Sequence, residues 1–150
     1  MSIENDIHQT KFNSEYHKMS VNLIYTYNWA MEKAKRFFEK ADLTMQQYNI
    51  LRILRGAGKP LSTLQIRQRM LDKMSDTSRI VDRLVIKELA TKKPSLTDKR
   101  LVDIAITSRG IAMLERLDRK NEEMDSLLQA LSEREVKILN QLLDKIRKSD

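Results

Sequence analysis

The sequence predicts a mostly α-helical chain with one small β-hairpin, and three observations carry that prediction. Apolar residues recur at helical spacing through most of the 150 residues, and three Gly and two Pro leave few breaks. Three stretches begin with Ser or Thr followed three residues later by Gln or Glu, the pair that caps a helix start reciprocally: Thr44 with Gln47, Ser62 with Gln65, and Ser132 with Glu135. Only Ala90 to Lys93 and Leu101 to Ile106 switch to the period of a strand, on either side of a basic turn.

Residues 1–13 are polar and expected to fray. From Ser14 to Ala41 the positions Ile24, Tyr27, Met31, Ala34 and Phe38 recur at steps of three and four, with Leu23, Ala30 and Phe37 beside them. That stripe is wider than a small core needs, so part of this long helix should meet another chain. The Thr44 capping box opens a helix through Arg55 with Tyr48, Leu51 and Leu54 facing inward, and Gly56, Gly58 and Pro60 should then break the chain. Leu61 is expected to add a very short strand to the hairpin sheet.

The Ser62 box starts a short helix that should end near Met70. A second helix is expected to begin near Ser75, with Ile80, Val81, Leu84 and Val85 on its packing face. Its free face starts with small hydrogen-bonding side chains, Thr77 and Ser78, and continues with Arg79 and Arg83, four apart and so neighbours on the surface. Val102, Ile104 and Ile106 then alternate with Asp103, Ala105 and Thr107 along the second hairpin strand, whose tip is Pro94 to Arg100. Helix, tight connection, helix and basic hairpin in this order read as a winged helix-turn-helix. A helix in the major groove needs short polar residues where its first turn meets base edges and arginines behind to reach phosphates.

From Ser108 helical spacing returns with Ile111, Leu114, Leu117, Met124, Leu127, Leu128 and Leu131, interrupted by the polar run Arg119 to Glu123. The Ser132 box starts a last helix carrying Val136, Leu139, Leu143 and Ile146. These stripes belong to no winged-helix core and imply a dimerisation module. The expected organisation is therefore an N-terminal dimerisation helix (1–42), a winged helix-turn-helix unit (43–107) and C-terminal dimerisation helices (108–150).

The net charge of +7 supports this division. Residues 1–43 carry six basic and six acidic side chains and residues 108–150 nine of each, whereas 62–100 hold ten basic against five acidic. The excess coincides with the candidate DNA-binding unit, as the electrostatic footprint of a nucleic-acid-binding protein should. With no Cys there is no disulfide scaffold, thiolate metal site or cysteine redox switch. His8 and His17 stand without a recurring carboxylate spacing, and no phosphate loop or nucleophile elbow occurs, so neither an enzyme, a cofactor nor a metal is expected. No apolar run is long enough for a membrane span and no signal peptide precedes the first helix, which leads to the expectation of a cytoplasmic protein.

From Tyr16 to Lys148 the chain resembles the MarR family of transcriptional regulators. The resemblance is carried by Leu43-Thr44 at the opening of the second helix of the domain, Asp82-Arg83-Leu84 late in the recognition helix, Asp98-Lys99-Arg100 at the wing tip, and Ile106-Thr107 ending the last strand before Gly110. One departure is Glu88, which stands where the family usually has a Gly in a left-handed position after the recognition helix.

The resemblance implies a homodimer on a pseudo-palindromic operator in double-stranded DNA, with a repressor role. Thr77, Ser78 and Arg79 would meet base edges, and Ser75 at the start of the helix would also contact DNA. Arg83 and Lys73 would hold phosphates, and Arg100 with Lys99 would approach the minor groove, with Asp98 orienting Arg100. It also implies a small effector, often aromatic or phenolic, between the dimerisation helices and the DNA-binding lobe. All eight aromatic residues lie between Phe12 and Tyr48, and Tyr25, Trp29 and Tyr48 are the ligand candidates. The alternative is a winged-helix module that binds DNA without sequence choice, or binds protein, and takes no effector.

Overall fold

The computed structural model describes residues 2–96, 98, 100–120 and 129–148. Among them are seven helices and one antiparallel hairpin: α1 (Ile3–Asp6), α2 (Glu15–Glu39), α3 (Met45–Ala57), α4 (Thr63–Arg69), α5 (Thr77–Ile86), β1 (Ala90–Pro94), β2 (Val102–Ile106), α6 (Ser108–Asp118) and α7 (Glu133–Arg147). This is the expected winged helix-turn-helix, with long helices before and after it.

All three capping boxes form. Thr44 Oγ1 accepts from Gln47 N–H at 3.1 Å while Gln47 Oε1 accepts from Thr44 N–H at 3.1 Å. Ser62 and Gln65 exchange the same two bonds at 3.2 and 2.9 Å, and Ser132 and Glu135 at 3.4 and 2.8 Å. Each box satisfies two backbone donors that a helix start otherwise leaves open.

The core lies between α3, α4, α5, α6 and the hairpin. Ile50, Leu51, Leu54, Ile66, Val81, Leu84, Ile104 and Leu114 are shut off from solvent, and each large side chain contributes about 1.5–3 kcal/mol by leaving water. The C-terminal third of α2 joins this core through Ala34, Phe37 and Phe38. The Phe37 and Phe38 rings meet edge to face at 5.2 Å, and Phe38 lies 4.4 Å from the Tyr48 ring.

In the sheet Ala90 pairs with Ile106 and Pro94 with Val102, and Leu61 adds a bridge by exchanging two 2.9 Å backbone bonds with Ile104. Glu88 takes the left-handed conformation at φ 59°, as the position after the recognition helix demands. Its carbonyl accepts from the Thr107 hydroxyl at 2.8 Å, and its carboxylate binds Arg109 at 2.5 Å. These contacts hold a residue that lacks glycine's freedom there. Gly110 is required for a different reason, because a Cβ there would lie 2.3 Å from the Leu89 carbonyl oxygen.

Three expectations change. Residues 3–6 do not fray: Ile3 is buried, and Glu4 and Lys18 pair at 2.5 Å, tying α1 to α2 and holding the Glu4 carboxyl down at about 2. Gly56 lies inside α3, which runs on to Ala57, and only Gly58 breaks the helix, at φ 63°. Exposed helical glycine is tolerated at modest cost, whereas a left-handed residue ends the hydrogen-bond ladder. The third change, at the start of α5, concerns the site.

Candidate nucleic-acid interface

The turn between α4 and α5 is held from three sides. Met70 is buried, and the Asn49 side chain on α3, itself buried, accepts the Leu71 N–H at 3.1 Å. The Asp72 carboxylate then accepts from Met74 N–H at 2.9 Å and from the Ser75 hydroxyl at 2.8 Å. Those donors, the hydroxyl first, hold the Asp72 carboxyl below its usual range. Because Ser75 closes this turn, α5 begins two residues later than the sequence suggests. Asp76 is its cap, accepting from Arg79 N–H at 3.2 Å.

This start places Thr77 differently from expectation. The spacing puts Thr77 on the free face, but it is 3% exposed and its hydroxyl has no hydrogen-bond partner. One turn before Val81 and a further turn before the Leu84 region, it falls on the packing side of α5, so it cannot meet a base edge from there. Ser78, Arg79, Asp82 and Arg83 form the exposed face. The Arg79 and Arg83 guanidiniums carry no ion pair among the described residues. Asp82 does not neutralise them, since its carboxylate is engaged by Lys92 of β1 at 2.8 Å.

Lys73 is exposed, but its ammonium donates to the Gln68 carbonyl at the end of α4. At the wing, the Arg100 backbone N–H donates to Asp98 Oδ1 at 3.0 Å, and its guanidinium grips both carboxylate oxygens at 3.1 Å. The side-chain bonds, then the backbone one, hold the Asp98 carboxyl below its usual range. The Arg100 side chain remains 90% exposed, so the fork aims the cation without covering it. Lys99 lies outside the described residues, as do Met124, Leu127 and Leu128. Arg67 and Arg69 at the end of α4 and Lys93 on β1 are also exposed, and spacing in the sequence does not assign their faces.

The three ligand candidates do not share one cavity. Tyr25 and Trp29 line a space of about 410 Å³ between α1 and α2, with Lys18 and Asn22. Tyr48 is packed on Phe38 with the Arg52 guanidinium 5.9 Å above its ring. A different cavity of about 310 Å³ sits between α2, α3 and the turn, lined by Tyr27, Met31, Met45, Asn49 and Met70 to Lys73. It was not legible because its walls are brought together from segments some forty residues apart. Among the described residues no cluster of His, Asp or Glu could hold a metal, and no helix is long and apolar enough to cross a membrane.

An exposed helix with two arginines that have no ion pair among the described residues, set on a braced turn and flanked by a hairpin whose arginine is aimed by a carboxylate, is what a winged helix-turn-helix DNA-binding protein needs. No family model matches the chain. It is 28% identical over 131 residues to the HTH-type transcriptional regulator MhqR of Bacillus subtilis (strain 168), covering 86% of this chain and 89% of that one. Among solved structures it resembles a MarR transcription factor from Planctomyces limnophilus, with 27% identity, TM-score 0.68, and 89% and 98% of the two chains covered. It also resembles a mutant MarR from E. coli complexed with operator DNA, with 22% identity, TM-score 0.80, and 91% and 99% covered. In sequence and in fold the chain is thus similar to winged helix-turn-helix transcriptional regulators of the MarR type.

Proposed function

We propose that the chain acts as a homodimer that represses transcription by occupying a pseudo-palindromic operator. The observation that carries this reading is the exposed pair Arg79 and Arg83 on α5, without ion partners among the described residues, beside the Asp98-oriented Arg100 of the wing. Residues 43–107 form the DNA-binding unit, and residues 1–42 and 108–150 hold the two copies together. Ser78 and Arg79 read base edges in the major groove, and Arg83 and Lys73 grip phosphates. Ser75 acts by closing the turn that positions α5, and Arg100 enters the minor groove. Two-fold symmetry of the dimer then matches the symmetry of the half-sites.

The cavity beneath the turn supplies the release step. A small aromatic or phenolic molecule between Tyr27, Met31, Met45 and Leu71 competes with the Asn49 bond to the Leu71 N–H and shifts the support of α5. Differential binding to the DNA-free arrangement is what such an effector needs.

The test uses a duplex selected from a randomised pool by the full-length protein, and a scrambled duplex, each titrated at several salt concentrations. Arg79→Ala should lose about 1–3 kcal/mol on the selected duplex only, since base contacts carry discrimination. Arg83→Ala should weaken both duplexes alike and flatten the salt dependence, since phosphate contacts are shared by all sequences. Equal losses on both duplexes for both variants would leave α5 as an electrostatic anchor and overturn sequence-specific recognition.

A further inference from the structure

A single leucine in water is ordinary on a protein surface, so exposure alone is no argument for Leu96; its setting is. Leu96 is 100% exposed at the wing tip, whereas Ser95 beside it is only 6% exposed and donates its backbone N–H to the Leu101 carbonyl at 3.0 Å. Across the tip, Leu101 N–H donates to the Asp98 carbonyl at 2.9 Å, and Arg100 forks onto the Asp98 carboxylate. Backbone hydrogen bonds thus hold Ser95 before Leu96 and Asp98 after it, while the Leu96 side chain is fully exposed.

Cations stand within four residues of it in sequence. Lys93 and Arg100 are exposed, and Asp98 is already engaged by Arg100. An apolar protein surface would have to strip water from those cations to receive the leucine. A minor groove receives both: its negative potential favours the arginine, and an unstacked base step offers an apolar slot for an aliphatic wedge.

We propose that Leu96 is a wedge, entering a pyrimidine–purine step in the minor groove flanking each half-site while Arg100 occupies the groove beside it, so that each wing kinks the DNA. This deepens the DNA-binding reading above and rests on it.

The probe is the selected duplex carrying 2-aminopurine at the flanking TA step and a fluorophore at each end. Binding of the wild-type protein should raise the 2-aminopurine emission and shorten the end-to-end distance. Leu96→Ala should bind about tenfold more weakly, the cost of losing most of one buried aliphatic side chain, with both signals gone. Leu96→Met, which keeps the apolar reach, should retain both. Replacing the TA step by a stiff A-tract should weaken the wild type and leave Leu96→Ala unchanged. Equal emission and distance for wild type and Leu96→Ala, or wild-type binding to the selected duplex with no rise in emission, would overturn the wedge while leaving DNA recognition standing. Failure of the wild type to enrich any duplex from the pool would overturn the DNA-binding reading itself, and the wedge with it.

Discussion

Helices α3 and α7 begin with the same capping box and carry apolar residues at the same helical spacing, yet α3 buries Ile50, Leu51 and Leu54 and α7 buries nothing. Val136, Ile138, Leu139, Leu142 and Ile146 of α7 are all 37–51% exposed. Helix α2 contains both conditions. Its last third is sealed by Ala34, Phe37 and Phe38, whereas Tyr16, Leu23, Ile24 and Tyr27 stand in water. Capping and periodicity decide that a helix forms and which face is apolar; they do not decide whether the same chain supplies something to cover that face. In the winged-helix lobe it does. On α7, and around Tyr16, Leu23, Ile24 and Tyr27 of α2, the described residues leave it open, and that uncovered area is what the proposed dimer would use.

The comparison can be broken most forcefully inside the lobe. Leu84→Ala should cost about 2–5 kcal/mol, since the side chain is fully buried and a cavity would remain where α5 meets α3. Urea unfolding measures it, and a cost below about 1 kcal/mol would mean that the lobe is not closed as described. Gly110→Ala comes next at about 1–3 kcal/mol, because the new methyl meets the Leu89 carbonyl and the Ile106 side chain, and a backbone atom cannot step aside cheaply. A melting temperature equal to that of the wild type would refute the close approach.

Thr77→Val should go the other way. Removing a buried hydroxyl that has no partner, with the shape kept, should raise stability by about 1 kcal/mol and leave discrimination between selected and scrambled duplexes intact. Lost discrimination would restore Thr77 to the base-reading set. Leu139→Lys should change the stability of the lobe least, by under about 0.5 kcal/mol, because the side chain lies on an uncovered face. It should nonetheless reduce the light-scattering mass to one chain at micromolar concentration. An unchanged dimer mass would mean that α7 is not the seam, and a single-chain mass for the wild type would remove the dimer altogether.

Much of the lobe was legible because its signals are local. The boxes at Thr44 and Ser62 and the alternation of Val102, Ile104 and Ile106 each involve residues a few positions apart, as does the Ser132 box of α7. The start of α5 is misread from sequence because Ser75 and Asp76 are both good caps. The choice between them is made by Asp72, which takes the Ser75 hydroxyl into the turn. That choice rotates Thr77 inward, and no spacing rule contains it.

The sequence by itself therefore determined the helices and strands of the winged-helix unit, where most of them begin, and that the positive charge gathers between residues 44 and 100, because propensity, capping and charge are properties of short stretches; it did not determine α1. Tertiary structure alone decided which cations stay free. Asp82 is drawn to Lys92 across ten residues, leaving Arg79 and Arg83 without ion pairs among the described residues, and Arg55 is tied to Asp118 at 2.6 Å. It also decided where a cavity lies, since Tyr27, Met45 and Leu71 become one wall only when α2, α3 and the turn pack. Ion pairs and cavities depend on distances between segments far apart in the chain, and those distances exist only once the core has closed.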